Sequence, residues 1–240
     1  MSTDSFLPLL KLPAEEIKEK VIVCGDPERA EKIAKKLDGF EEISYNREYR
    51  VFNGSKAGVE LTVASHGVGG PGAAVCFEEL IRGGARKIIR VGTAGSLNPD
   101  IKDGDIVIAS AAIRKDGVSE QLIPLSYPAV ASTGLINALE SSAKKMGQKT
   151  YTGIILTIAA FYAELLGLPN NQFSKANALA VEMEVSALFV IASLNGVEAG
   201  AIVAIDGLAV DFDADAYNPH RNLVDDAIER ESEIAIDSLI

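Results

Sequence analysis

The chain has 240 residues, 48% of them hydrophobic and 24% charged, a size and composition that suit an enzyme-sized globular domain with a buried core and exclude a disordered chain. Its formal net charge of −11 sets a mean field that repels phosphodiester backbones and anionic lipid, so nucleic acid and membrane surfaces are not expected partners. That sign does not exclude a small anionic substrate, because a few arginines converging in a cleft reverse the potential locally.

In chain order, a β-branched run at 21–24 predicts a strand that leads into a helix at 28–37. Tyr45 to Tyr49, then Val51 to Ser55 and a turn near Ala57-Gly58, read as an antiparallel excursion. A strand at 60–65 feeds a helix at 72–83, and further strands are expected at 87–92, 105–110, 153–157 and 199–206. Helical patterns occupy 133–146, 185–195 and 222–239, and residues 165–171 read as the most mobile loop. Most of the strands are apolar throughout rather than alternating, which means cover on both faces. The expected fold class is α/β: a single-domain three-layer α/β/α sandwich over residues 1–240, with a central mixed, mainly parallel sheet. No repeat or linker divides it.

With two cysteines, Cys24 and Cys76, and two histidines, His66 and His220, no metal-ligand spacing exists, so metal-free chemistry is expected. The start of the chain has no cleavable leader pattern and no run is apolar enough to span a bilayer, so a cytoplasmic location is expected.

Five short segments carry residues suited to chemistry. Gly25-Asp26-Pro27-Glu28-Arg29 lies where a buried strand gives way to a helix, so helix-start N–H groups and Arg29 can face an anion. Equally, Asp26 and Pro27 can simply cap and open that helix. Arg90 closes a nearly apolar run beside Gly92-Thr93-Ala94-Gly95-Ser96, read as a glycine-rich turn; a buried guanidinium needs either a fixed carboxylate or an external oxyanion. His66-Gly67-Val68-Gly69-Gly70 is a second such turn, without the lysine and hydroxyl of a nucleotide-triphosphate loop, and His66 reads as holding its shape. Glu182-Met183-Glu184 is either a solvated acidic pair or a pair that suits a ribose diol, and its apolar flanks argue for burial with a satisfied partner. Asp206 ends a strand run before Gly207, as either a working carboxyl or a turn residue.

Together, Gly25 to Arg29, Asn46-Arg47-Glu48-Tyr49, Ser65 to Gly69, Ile89 to Gly95, Val181 to Glu184 and Ala204 to Gly207 resemble, in order and nearly end to end, the hexameric nucleoside phosphorylase family. That family includes purine nucleoside phosphorylases, uridine phosphorylases and methylthioadenosine phosphorylases. The resemblance implies phosphate binding by Gly25, Arg29, Arg90 and Thr93, with Arg47 supplied across a dimer of a hexameric trimer of dimers. It implies ribose binding by Met183 and Glu184, and a base pocket of Phe161, Tyr162, Glu182 and Asp206. Asp206 and Arg90 are then the catalytic pair, and no cofactor is used beyond inorganic phosphate as co-substrate. The glutamine and arginine of uridine phosphorylases have no counterpart in Ala163-Glu164-Leu165-Leu166-Gly167, whereas Ser174-Lys175-Ala176-Asn177 is similar to the protozoan purine enzymes. The family's N-terminal histidine is replaced near Leu9, and its Ser-Asp before the aromatic pair is Ala159-Ala160. Purine nucleoside phosphorolysis is the expected activity, with uridine or methylthioadenosine phosphorolysis and a non-catalytic nucleoside-binding protein as alternatives.

Overall fold

Alternation of buried runs and amphipathic helices builds one extended sheet covered on both faces. The computed structural model describes residues 5–163, 165–210 and 222–240; His220, Glu164 and the first four residues, on which parts of the sequence reading rest, lie outside them. A small hairpin, β1 (Phe6–Leu7) with β2 (Leu12–Pro13), precedes a short 3-10 turn and strand β3 (Lys20–Cys24). Helix α1 (Pro27–Ala34) follows, opened by Asp26, whose side chain accepts the Glu28 N–H at 2.9 Å, and by Pro27 in its first turn.

The antiparallel excursion is three strands: β4 (Asp38–Asn46), β5 (Tyr49–Lys56) and β6 (Val59–Ser65). Arg47 and Glu48 form the first hairpin tip, with Arg47 at φ 59°, and Ala57-Gly58 forms the second at φ 50° and 80°. Helix α2 (Gly70–Gly83) begins two residues before the predicted start. The chain then runs through β7 (Lys87–Ser96), β8 (Ile106–Lys115), α3 (Ser119–Leu122), β9 (Ala129–Val130), α4 (Thr133–Lys145) and β10 (Thr150–Ile158). It ends with α5 (Asn170–Ser174), β11 (Ala180–Glu182), α6 (Val185–Leu194), β12 (Glu198–Leu208) and α7 (Asn222–Asp237).

Ten strands pair in the order β11-β10-β8-β12-β7-β3-β6-β5-β4, with β9 on β8. The centre, β6-β3-β7-β12, is parallel as expected; antiparallel joints occur where β12 meets β8 and through the β4 to β6 meander. β11 also pairs antiparallel with β7, so the half β7-β12-β8-β10-β11 curls until it closes on itself. The layers follow from the side-chain alternation of β7 and β12. Ile88, Val203 and Ile205 pack with α2 and α6, while Ile89, Val91 and Ile202 pack with α1, α4 and α7. Helix α6 is buried from Val185 to Ala192 on every side, which is why its sequence reads as a continuous apolar run.

Two expectations change. Gly92 to Ser96 is not a turn: β7 continues through it, paired with β12 from Val203 opposite Gly92 to Leu208 opposite Ser96. Asp206 does not end a strand: β12 runs on to Leu208, and the register skips Asp206 between Ile205 and Gly207, a bulge that frees one side chain from the alternation. Of the predicted loop 165–171, Leu165 and Leu166 are exposed, but Asn170 is buried and opens α5.

Candidate functional site

A cavity of about 620 Å³ opens above the carboxyl ends of β3, β7 and β12 and the start of α6. That is the volume of a small-molecule site. Gly25 and Arg29 line it from the β3–α1 junction, Arg90, Thr93 and Gly95 from β7, Glu182 to Glu184 from the β11–α6 junction, and Asp206 from the β12 bulge.

The centre of the site is an ionic knot. Arg90 is 4% exposed and donates through Nη2 to Glu184 Oε2, with Glu182 Oε2 at 3.4 Å from the same nitrogen. The other two guanidinium nitrogens, Nε and Nη1, are buried without a hydrogen-bond partner among the described residues. One edge of this arginine is met by fixed carboxylates and the other carries unmet donors. Burial works against the charge on Arg90, but Glu184 and Glu182 outweigh it and hold the guanidinium protonated above its ordinary range. The guanidinium lies so close over Gly92 that a Cβ there would stand 1.8 Å from Nη1, so the strand passes this point only as glycine.

The two carboxylates have different tasks. Glu182 accepts from Thr157 Oγ1 at 2.6 Å and from the N–H groups of Glu184 and Val185 at 2.7 and 2.9 Å, so it caps the start of α6. Glu184 accepts from Gly69 N–H at 2.5 Å through its other oxygen. Burial opposes its charge, but Arg90 prevails and lowers its pKa, keeping it an acceptor at neutral pH. Burial pushes Glu182 the other way, against the pull of Arg90.

His66 is fully buried, its Nδ1 2.8 Å from Gly67 O and its ring edge-on to Phe77 at 5.3 Å. Burial brings its pKa down to about 4, so it is neutral at neutral pH and holds the turn, as expected. Gly67, at φ 75°, packs against Glu48, which a Cβ would meet at 2.7 Å.

Residues 19–239 match the family model described as the Phosphorylase superfamily. The chain belongs to the phosphorylase superfamily. It is 39% identical over 236 residues to a purine nucleoside phosphorylase of Plasmodium falciparum (isolate 3D7), covering 97% of this chain and 95% of that one. It is 37% identical over 198 residues to a uridine phosphorylase of Haemophilus influenzae, covering 77% of this chain and 78% of the relative. The fold superimposes on the crystal structure of a Toxoplasma gondii purine nucleoside phosphorylase in complex with immucillin-H with a TM-score of 0.92 and 32% identity, covering 99% of this chain and 95% of that one.

Within this superfamily member, Gly25, Arg29, Arg90, Thr93, Phe161, Glu182, Met183, Glu184 and Asp206 all border the one cavity, although they were singled out from separate segments. Two residues of the sequence-based set do not. Tyr162 is 72% exposed and turned outward, its ring edge-on to Phe161 at 5.0 Å, because the chain leaves the end of β10 here and only Phe161 faces the cavity. Arg47 is exposed at the hairpin tip and does not line the cavity of its own chain; the neighbouring Glu48 does. Two arginines, not three, thus border the pocket within one chain. Sequence reasoning also passed over Leu168 and Asn170, which line the pocket from a segment read as loop. Asn170 donates to Ala209 O at 2.7 Å, and its burial had no local signal.

Proposed function

We propose that this superfamily member is a purine nucleoside phosphorylase. It splits the N-glycosidic bond of a (deoxy)ribonucleoside with inorganic phosphate, giving free base and (deoxy)ribose 1-phosphate. The observation that carries this reading is the unmet Nε and Nη1 of Arg90, beside Arg29 and Thr93, in the same cavity as Glu184, Met183 and Asp206. Unmet buried donors next to a carboxylate kept ionised suit an oxyanion bound against a polyhydroxyl sugar.

In the reaction, phosphate held by Gly25, Arg29, Arg90 and Thr93 attacks C1′ as the glycosidic bond breaks and positive charge grows on the ribose ring. The held anion stabilises that charge, and Glu184 with Met183 fixes the sugar. Asp206, in its protonated form, hydrogen-bonds N7 and offsets the negative charge of the departing purine. Phe161 offers an apolar wall for the base. Glu182 acts one step removed, since its carboxylate is engaged in capping α6 and thereby orients Glu184. No cofactor enters the scheme.

The assembly is part of the proposal. Arg47 is exposed at its hairpin and does not line the cavity of its own chain. A dimer, repeated three times in a hexamer, brings the partner copy's hairpin to this site and restores a third guanidinium. Both cysteines are buried free thiols, consistent with a reducing, cytoplasmic setting.

The test is a panel of inosine, guanosine, adenosine, methylthioadenosine and uridine, each with and without phosphate, following free base. Phosphate-dependent release from purine ribonucleosides is expected. Preference for uridine or methylthioadenosine would reassign the base; binding without release would make the chain a nucleoside-binding protein; release without phosphate would make it a hydrolase.

A further inference from the structure

Helix α7 buries Val224, Ala227, Glu231, Ile234 and Ala235 on one stripe, so a carboxyl occupies a position where the helical period calls for an apolar side chain. Glu231 is 0% exposed, and neither of its oxygens has a hydrogen-bond partner among the described residues. The nearby Ala204 amide favours its charge without closing a bond. An unmet carboxylate inside an apolar layer is unfavourable unless something offsets its charge.

What surrounds Glu231 is the back of the proposed anion subsite. Its charge is felt by Arg29 from α1, Arg90 from β7, Asp206 from β12 and Cys24 from β3. Helix α4, also packed on α7, sends Lys145 to Asp237 instead. Arg29 makes no hydrogen bond or ion pair with another described residue. Glu231 therefore lies on the α1/α7 side of the sheet without a fixed partner among the described residues, on a helix packed against β7 and β12, the strands that carry Arg90 and Asp206.

We propose that Glu231 is a proton-linked positioning residue: an inorganic oxyanion bound at Arg29 and Arg90 holds its carboxyl in the neutral acid form, so that anion binding takes up a proton. The inference rests on the phosphate reading of that subsite. Burial pushes Glu231 well above the usual carboxylate range, while Arg29 and Arg90 pull it back. A bound dianion cancels that pull, so the carboxyl's proton affinity rises further on binding. By linkage, anion affinity then falls as pH rises through the value that Glu231 has in the protein without the anion. The proton comes from solvent and returns to it on release. Cys24, pushed up to about 12, and His66, brought down to about 4, both titrate outside the neutral range and do not supply this effect there.

The experiment is calorimetric titration of the full chain with inorganic sulfate, which keeps its charge throughout the neutral range, in buffers of different ionisation enthalpy and at several pH values. For the wild type, net proton uptake is expected, with affinity falling by up to about tenfold per pH unit over the range in which Glu231 titrates in the anion-free protein. Glu231→Gln, and Glu231→Met as an apolar control for folding, are expected to bind sulfate with that uptake and pH slope removed. Absence of uptake in the wild type, or equal uptake in wild type and Glu231→Gln, overturns the inference and leaves the phosphate reading intact. Sulfate that does not bind, or whose binding is unchanged in Arg29→Ala, overturns the phosphate reading itself and this inference with it.

Discussion

Two buried charged clusters meet at the start of α6, and only one of them is closed. Asp116, 1% exposed, accepts from Val118 N–H, from the Ser119 N–H and hydroxyl at 2.5 and 2.7 Å, and from the Ser186 hydroxyl. These contacts join the β8–α3 turn to α6 and saturate the carboxylate, whose pKa falls despite burial because every neighbour donates to it. Arg90, which reaches the start of α6 through Glu184, is also buried but keeps Nε and Nη1 unmet among the described residues. A cluster built for stability satisfies all its members, whereas one built for a ligand holds donors in reserve.

The largest expected effect comes from the open cluster. Arg90→Lys, which keeps a positive charge beside Glu182 and Glu184 but removes the Nε and Nη1 donors, should lower kcat/KM for phosphorolysis by about 10²- to 10³-fold, the range for removing a preorganised oxyanion donor, while the melting temperature changes far less. A parallel collapse of both would show Arg90 to be structural, like Asp116. Asp206→Asn should reduce turnover of purine nucleosides by roughly 10²-fold with little change in phosphate KM, checked by steady-state kinetics across pH. Equal losses in activity and in folding would return Asp206 to the status of a bulge residue.

The closed cluster should respond in the opposite sense. Asp116→Asn is expected to cost about 1–3 kcal/mol of unfolding free energy at neutral pH while the folded fraction keeps its kcat. The folded pKa of Asp116 is depressed, so its contribution is present above the ordinary carboxylate range. It is lost as pH falls below about 4, and the gap between wild type and variant in denaturant melts should shrink there. A gap that widens on acidification would break the comparison. The smallest effect belongs to the hairpin: Arg47→Ala should raise phosphate KM about tenfold. Mixing it with an Arg29→Ala chain should restore some sites if the hairpin serves the partner copy; no recovery would place Arg47 outside the site.

Much of this was legible in the sequence, because strand ends, helix starts and glycine positions are local. The β3–α1 junction, the Arg90 strand and the Glu182 to Glu184 pair were each recognisable from burial pattern and residue type, and the fold brings them to one cavity. What sequence could not give was the pairing of β7 with β12, which turns an apparent glycine-rich turn into strand and Asp206 into a bulge; both depend on a partner more than a hundred residues away. Of the two neighbouring aromatics only Phe161 borders the cavity, and telling it from Tyr162 requires the path of the backbone past β10. Glu231 had a signal, a lone carboxyl on an apolar stripe of α7, but its meaning required knowing what lies behind the arginines.

The central claim is that Arg90 shares its guanidinium between Glu184 and an inorganic anion, and a crystal structure grown in phosphate tests it most directly. The account predicts phosphate within about 2.7–3.2 Å of Arg90 Nε or Nη1, also touching Arg29 and the Thr93 hydroxyl, with Glu184 still beside Arg90. Phosphate bound elsewhere, with Arg90 closed wholly onto Glu182 and Glu184, would contradict it.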